Sequence, residues 1–337
     1  AGLVVCLLIS GYGLIGVAFA TLGSQLFGLT ANYLIFKYFA PGVRIRLSHV
    51  RWHFLRKLVA YGSITAVITT ADHLRMNIDS LVIGKWLSMD AVGVYGIAAL
   101  LTRYMGLMVT TGTGVLMPRF TALHASNDDE KIKEIFVRSL HISAFLAFGC
   151  CMLAIIFGAQ FITLWVGKDF ADSTIVLWIL SFSFAFDLSQ TPGIGLMYAL
   201  KKHHFYAIAT TIEAIANITL SILLVTKYGI IGVAMGTAIS MLIVKILVQP
   251  VYVSRIINIS ILDYAKPILI PLVIASVMVI IAYNLGMLSY NLVTIRYLIC
   301  FGTITCFLYI LVSFLLMNKN DQKFIIHRIL KRKLIIT

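Results

Sequence analysis

Residues 12–24 read YGLIGVAFATLGS, and residues 228–240 read YGIIGVAMGTAIS. The two stretches share Tyr, Gly, Ile, Gly, Val, Ala, Thr and Ser in register, and each follows an apolar run. A tyrosine belongs where a helix enters the headgroup region. The small residues at Gly16/Ala20 and Gly232/Gly236 are spaced to let two membrane helices pack closely. Two copies in the same orientation predict a parallel repeat, and six apolar spans fit between them.

The rest of the chain agrees. Of 337 residues, 60% are apolar and 12% charged, against roughly 45–50% and 25% for a soluble domain. That excludes soluble enzymes, disulfide scaffolds and nucleic-acid binders. Runs long enough for the roughly 20 residues a crossing needs occur at 13–36, 58–83, 89–117, 138–160, 174–199, 204–226, 230–253, 265–284 and 292–316, with a partial one at 1–9. They do not alternate, so the expectation is an all-α polytopic membrane protein rather than a barrel. Chain start Ala1 falls within an apolar run, which predicts that the first repeat is truncated here.

The net charge of +14 is a topology signal. Arg44, Arg46, Arg51, Arg56 and Lys57 fill one loop, and Arg119, Lys131, Lys133 and Arg138 another. Lys201, Lys202 and Arg255 follow on the same side, as does a tail with Lys319, Lys323, Arg328, Lys331, Arg332 and Lys333. The opposite loops hold Lys85, Lys168 and Lys227. The basic loops and the C-terminus are therefore expected in the cytoplasm. The expected divisions are 1–37, the end of a first bundle; 38–57, a basic linker; 58–256, a second bundle; 264–316, two further spans; and 317–337, a basic tail.

Several motifs carry nothing. Gly11, Gly13 and Gly16 form G-x-G-x-x-G, but the first acid is Asp72, far beyond the ribose-binding position. Cys6, Cys150, Cys151, Cys300 and Cys306 lie in apolar runs without C-x-x-C spacing and read as packing residues. The sequons at Asn217 and Asn258 fall in a span and on the cytoplasmic side. No metal ligand set and no catalytic motif is present, and the loops are too short for a catalytic domain.

YGIIGVAMGTAIS, with ANITLSILLV before it, resembles the polysaccharide flippases of the multidrug/oligosaccharidyl-lipid/polysaccharide exporter superfamily. So do NIDSLVIGKWLSMDAVGVYGIAALL (77–101), Pro118 in MPRF, and LWVGKDF (164–170). The resemblance implies the MATE/MOP-like bundle: two six-helix repeats around a cavity, plus two extra C-terminal helices. It further implies a non-enzymatic flippase of O-antigen or exopolysaccharide type in the bacterial inner membrane. Its substrate would be a polyprenyl-diphosphate oligosaccharide, and its partners the polymerase and glycosyltransferases of the same pathway. Cofactors are not implied, beyond a coupling H⁺ or Na⁺. The alternatives are a MATE-type multidrug/cation antiporter and a membrane-bound glycosyltransferase or ligase.

Charges within spans locate the chemistry, because each costs about 2.5–3.5 kcal/mol at a helix centre. Asp72, Arg75 and Asp79 share one helical stripe. Arg103, Asp187, Glu213 and Lys245 lie in other spans. Arg75, Arg103 and Lys245 are candidate cations for substrate phosphates. Asp72, Asp79, Asp187 and Glu213 are candidate acids for ion coupling. The competing reading is structural, with Arg75 paired to Asp72 or Asp79 in its own helix and His73 a packing residue. Pro192 and Gly193 interrupt the 174–199 span and suggest a hinge.

Overall fold

A computed structural model of the chain describes residues 6, 7, 9–40, 52–114, 116–288 and 294–316. Among the described residues the secondary structure is helical, without strands. The chain divides into two compact units, Ala1–Gly62 and Ser63–Thr337. The basic tail at 317–337 and the centre of the basic linker, 41–51, lie outside the described residues.

In the first unit, α1 (Gly13–Phe39) carries no acid in its first turn and Lys37 in its last. It opens at Gly13, whose φ is +54°, and a Cβ at Gly16 would sit 3.2 Å from Cβ of Leu7. The helix α2 (Trp52–Trp86) runs across the boundary between the units.

The second unit holds the remaining helices. The first of these, α3 (Met89–Thr113), is capped by Ser88, whose Oγ accepts from the Ala91 N–H at 3.1 Å. The short α4 (Leu116–Ala125) continues it, with Pro118 in the first turn. Next comes α5 (Asp129–Trp165), which is capped by Asp128 and has Asp129 and Glu130 in its first turn, where acids favour the helix dipole. Its buried stripe of Phe136, Leu140, Ala144, Phe148, Met152 and Ile156 recurs every four residues and forms the spine of the core.

The expected 174–199 span is broken into α6 (Ser173–Ser189) and α7 (Thr191–Ala199). Gln190 stands at the break, and Pro192 starts α7, where its missing N–H costs nothing. The helix α8 (His203–Leu242) folds back on itself at Gly229, which has φ +58° and ψ −138°. The first arm is the expected span 204–226, and the second begins the expected span 230–253, which continues through the next two elements. They touch through backbone: a Cβ at Gly236 would lie 2.7 Å from the Ser221 nitrogen, and one at Gly232 would collide with the Leu224 carbonyl. The small residues of the 228–240 motif thus do what their spacing predicts. Gly13 and Gly229, equivalent in the two motifs, share the positive φ.

A π-helical segment, Ile243–Val248, follows, and then α9 (Gln249–Ile257). The two extra helices are α10 (Ile261–Asn284), with Pro267 and Pro271 inside it, and α11 (Ile295–Leu316). Both pack on α5. Tyr309 of α11 stacks on Phe145 at 4.9 Å and donates to the Phe145 carbonyl at 2.9 Å. Gly149 leaves room for that ring, since a Cβ there would be 2.8 Å from it.

Six of the described helical stretches are long and apolar enough to cross a bilayer, and one of them, His203–Ile257, is the hairpin with α9. The expected spans 13–36 and 58–83 are helical but are not among these six.

Candidate functional site

Helix α2 places Asp72, Arg75 and Asp79 on one side, and the second unit closes around them. The Arg75 guanidinium is 6% exposed. It donates to Glu213 of α8 at 2.7 Å and lies 3.5 Å from Asp187 of α6 and 3.5 Å from Asp72 one turn back. Lys245, 1% exposed in the π segment, reaches the other oxygen of Asp187 at 2.8 Å. Four helical elements thus bring two cations and three carboxylates into one buried cluster. A charge in such surroundings is tolerable when it is paired.

Asp79 belongs to a different network. It is four residues from Arg75 yet does not pair with it. Its Oδ2 accepts from the Tyr95 hydroxyl, and the Thr237 hydroxyl lies 2.8 Å from it. The same hydroxyl is 3.0 Å from Oδ1 of Asn217, which accepts from Ser221 at 3.0 Å. The Asp79 Oδ1 atom is buried and accepts nothing among the described residues. Hydroxyls from two helices, α3 and α8, therefore meet an acid that has no cationic partner among the described residues.

The two helix irregularities meet next to Lys245. Gln190, at the break, donates through Nε2 to the Lys245 carbonyl at 2.6 Å and accepts through Oε1 from the Tyr264 hydroxyl at 2.9 Å. Gln249 donates to the Gln190 carbonyl at 3.3 Å and accepts from the Lys245 ammonium at 3.1 Å. π-Helical turns recur at functional sites.

A cavity of about 360 Å³ opens over this assembly. Asp72, Arg75, Asp79, Arg103 and Asp187 are its charged lining residues, and Leu107, Phe184 and Leu188 are among its apolar ones. Arg103 is exposed on α3 and has no ion-pair partner among the described residues.

The structure therefore gathers Asp72, Arg75, Asp187, Glu213 and Lys245 into one cluster, and sets Asp79 beside it and Arg103 on the cavity wall. Glu213 and Lys245 lie behind the lining. Pro192 and Gly193 are buried just past the helix break. His73 is exposed on α2 and takes no part. Charge-based reasoning missed the neutral members: Tyr95, Asn217, Thr237, Gln249 and Tyr264. Asn217 and Gln249 were legible by the same cost, since an amide inside an apolar span also needs partners.

The sequence pattern of the family described as "Polysaccharide biosynthesis protein" matches residues 2–175. The uncharacterized membrane protein EpsK of Bacillus subtilis is 22% identical over 324 residues, covering 94% of this chain and 63% of EpsK. The probable low-salt glycan biosynthesis flippase Agl15 of Haloferax volcanii is 23% identical, over 55% of this chain and 39% of its own length. Among solved structures, the lipid II flippase MurJ in its inward closed conformation superposes with a TM-score of 0.56 at 19% identity. That match covers 77% of this chain and 53% of MurJ. The chain spans roughly two fifths to two thirds of the length of these proteins, and its helices follow the MurJ fold. With more than half of its residues matched, the chain belongs to the polysaccharide biosynthesis protein family.

Proposed function

We propose that this chain supplies the second bundle and the two extra helices of a flippase for lipid-linked oligosaccharide. The flippase moves polyprenyl-diphosphate glycans from the cytoplasmic to the outer leaflet for cell-surface polysaccharide synthesis, by alternating access and without covalent chemistry. The observation that carries this reading is the cavity itself. Its lining combines Arg103 and Arg75, suited to bidentate phosphate contact, with apolar residues such as Leu107, Phe184 and Leu188. A diphosphate on an isoprenoid stem has the same mixed character. The family and the similarity to Agl15, a probable glycan biosynthesis flippase, support it. Lys245 acts through Asp187, because it is buried behind the lining. Asp79 is the coupling acid in this reading: its carboxylate has hydroxyl partners and no ion-pair partner among the described residues, which suits a proton or a sodium ion. The location is the cytoplasmic membrane with the C-terminus inside, and the partners are the polymerase and glycosyltransferases of the same pathway.

The test uses the gene that encodes the chain. Deletion should cause a lipid-linked oligosaccharide to accumulate, as read by mass spectrometry of extracted polyprenyl lipids. A wild-type copy should clear it. An Arg103→Ala copy should not, at equal protein level, because Arg103 has no ion-pair partner among the described residues. Normal lipid-linked sugars in the deletion strain, with new sensitivity to cationic drugs, would overturn the flippase reading in favour of the antiporter.

A further inference from the structure

We propose that Gln190 and Tyr264 are positioning residues, through which the extra helix α10 sets the charged cluster at the cavity. The inference rests on the transport reading above for its effect on substrate and on geometry for everything else.

Lys245 is held at both ends. Its ammonium touches Asp187 at 2.8 Å and Gln249 at 3.1 Å. Its carbonyl lies in the π segment, where the ordinary helical ladder is disturbed. The Gln190 amide supplies a donor to that carbonyl at 2.6 Å. Gln190 is able to do so because α6 ends there, and it is itself 1% exposed. Two irregular backbones, each weak alone, are thereby joined.

The direction of the Gln190 amide decides whether this works. Its nitrogen faces the carbonyls of Lys245 and Phe186, and its oxygen faces the Tyr264 hydroxyl. Reversed, the amide oxygen would meet two carbonyl oxygens. Tyr264, 1% exposed, thus orients Gln190 as well as anchoring α10. The space alongside is filled: a Cβ at Gly193 would lie 3.3 Å from the Gln249 amide and 3.7 Å from the Tyr264 hydroxyl.

From Tyr264 the path to the cavity is short. Gln190 holds Lys245, Lys245 holds Asp187, and Asp187 lies 3.5 Å from Arg75. Asp187 and Arg75 line the cavity, whereas Tyr264 does not. The extra helices are accordingly part of the machinery that presents Arg75.

The decisive variant is Tyr264→Phe in the full-length protein. It deletes one donor and keeps the ring, including its contact with Phe136 at 5.7 Å. We expect export of the native precursor per molecule of protein to fall about fivefold, the equivalent of one buried hydrogen bond. Membrane level and unfolding temperature should stay near wild type. Hydrogen exchange across 243–249 should quicken. The double variant Tyr264→Phe/Gln190→Ala should export no worse than Gln190→Ala alone, since one acts through the other. As a control, Phe136→Leu loosens the same packing without touching the hydrogen bond and should lower stability but not export per molecule. Unchanged exchange and unchanged export in Tyr264→Phe would overturn the proposal. So would a loss of export that merely follows a loss of protein. If the wild-type gene itself fails to clear any precursor, the transport reading falls, while the exchange at 243–249 still decides whether Tyr264 positions Lys245.

Discussion

Replacing Lys245 with methionine tests whether the buried cluster is a balanced set of charges. Lys245 is 1% exposed and 2.8 Å from Asp187. The cluster sets Arg75 and Lys245 against Asp72, Asp187 and Glu213, two cations to three acids. Methionine keeps most of the volume and leaves Arg75 to answer all three carboxylates. Stranding one partner of a buried pair costs about 3–5 kcal/mol. At roughly 2 °C per kcal/mol, unfolding should drop by about 6–10 °C. Lys245→Met/Asp187→Asn removes one charge of each sign and restores the original excess of one acid. It should recover most of that loss. The remainder, about 1 kcal/mol, is the donor that Gln249 no longer receives. The measurement is thermal unfolding of the purified full-length protein in detergent, followed by tryptophan fluorescence. A Lys245→Met protein as stable as wild type would refute the reasoning. So would single losses that simply add in the double variant, because contacting charges must couple.

Three further outcomes follow from the same geometry. Asp79→Asn keeps an acceptor for Tyr95 and Thr237, so the protein should accumulate normally, while export should lose its response to an imposed sodium or proton gradient. An Asp79→Asn transporter that still responds would place coupling elsewhere. Gly229→Ala puts a Cβ on a residue at φ +58° and ψ −138°; it should cost about 1–3 kcal/mol, read as a lower unfolding temperature. Gly236→Leu drives a side chain into the Ser221 backbone, only 2.7 Å from where its Cβ would be. That hairpin cannot close, and immunoblots of membranes should show little protein.

The helices were legible because their signals are local. Apolar length marks a crossing, and glycine spacing marks close approach; the hairpin at Gly229 followed from both. The break at Gln190 was foreshadowed by Pro192, which sits in the first turn of the helix that follows it. The π segment had no such herald, since nothing in IVKILV departs from helical composition. Site membership was half legible. The cost of a charge in lipid singled out Arg75, Asp187, Glu213 and Lys245 from the sequence. Their pairing was not legible, because it joins residues such as Arg75 and Glu213 across four packed elements. The in-helix alternative, Arg75 paired to Asp72 or Asp79, holds for Asp72, while Asp79 is left to neutral partners.

The charge count also constrains how an anion is received. Arg75 already faces three carboxylates. At 4 Å and an effective dielectric near 20, each opposite charge contributes about 4 kcal/mol of Coulomb attraction. Under the proposed flippase reading, a diphosphate would therefore reach Arg75 by exchange, displacing a carboxylate that would then need a proton or a cation of its own. Arg103 carries no such competitor among the described residues and lines the same cavity. Under the flippase reading it makes the first contact, and Arg75 follows as its acids are neutralised. An order of that kind links substrate capture to ion uptake without a separate coupling device. The same reading accounts for cations that do not outnumber the acids, since a surplus of cations would hold a diphosphate too tightly to let it go on the far side.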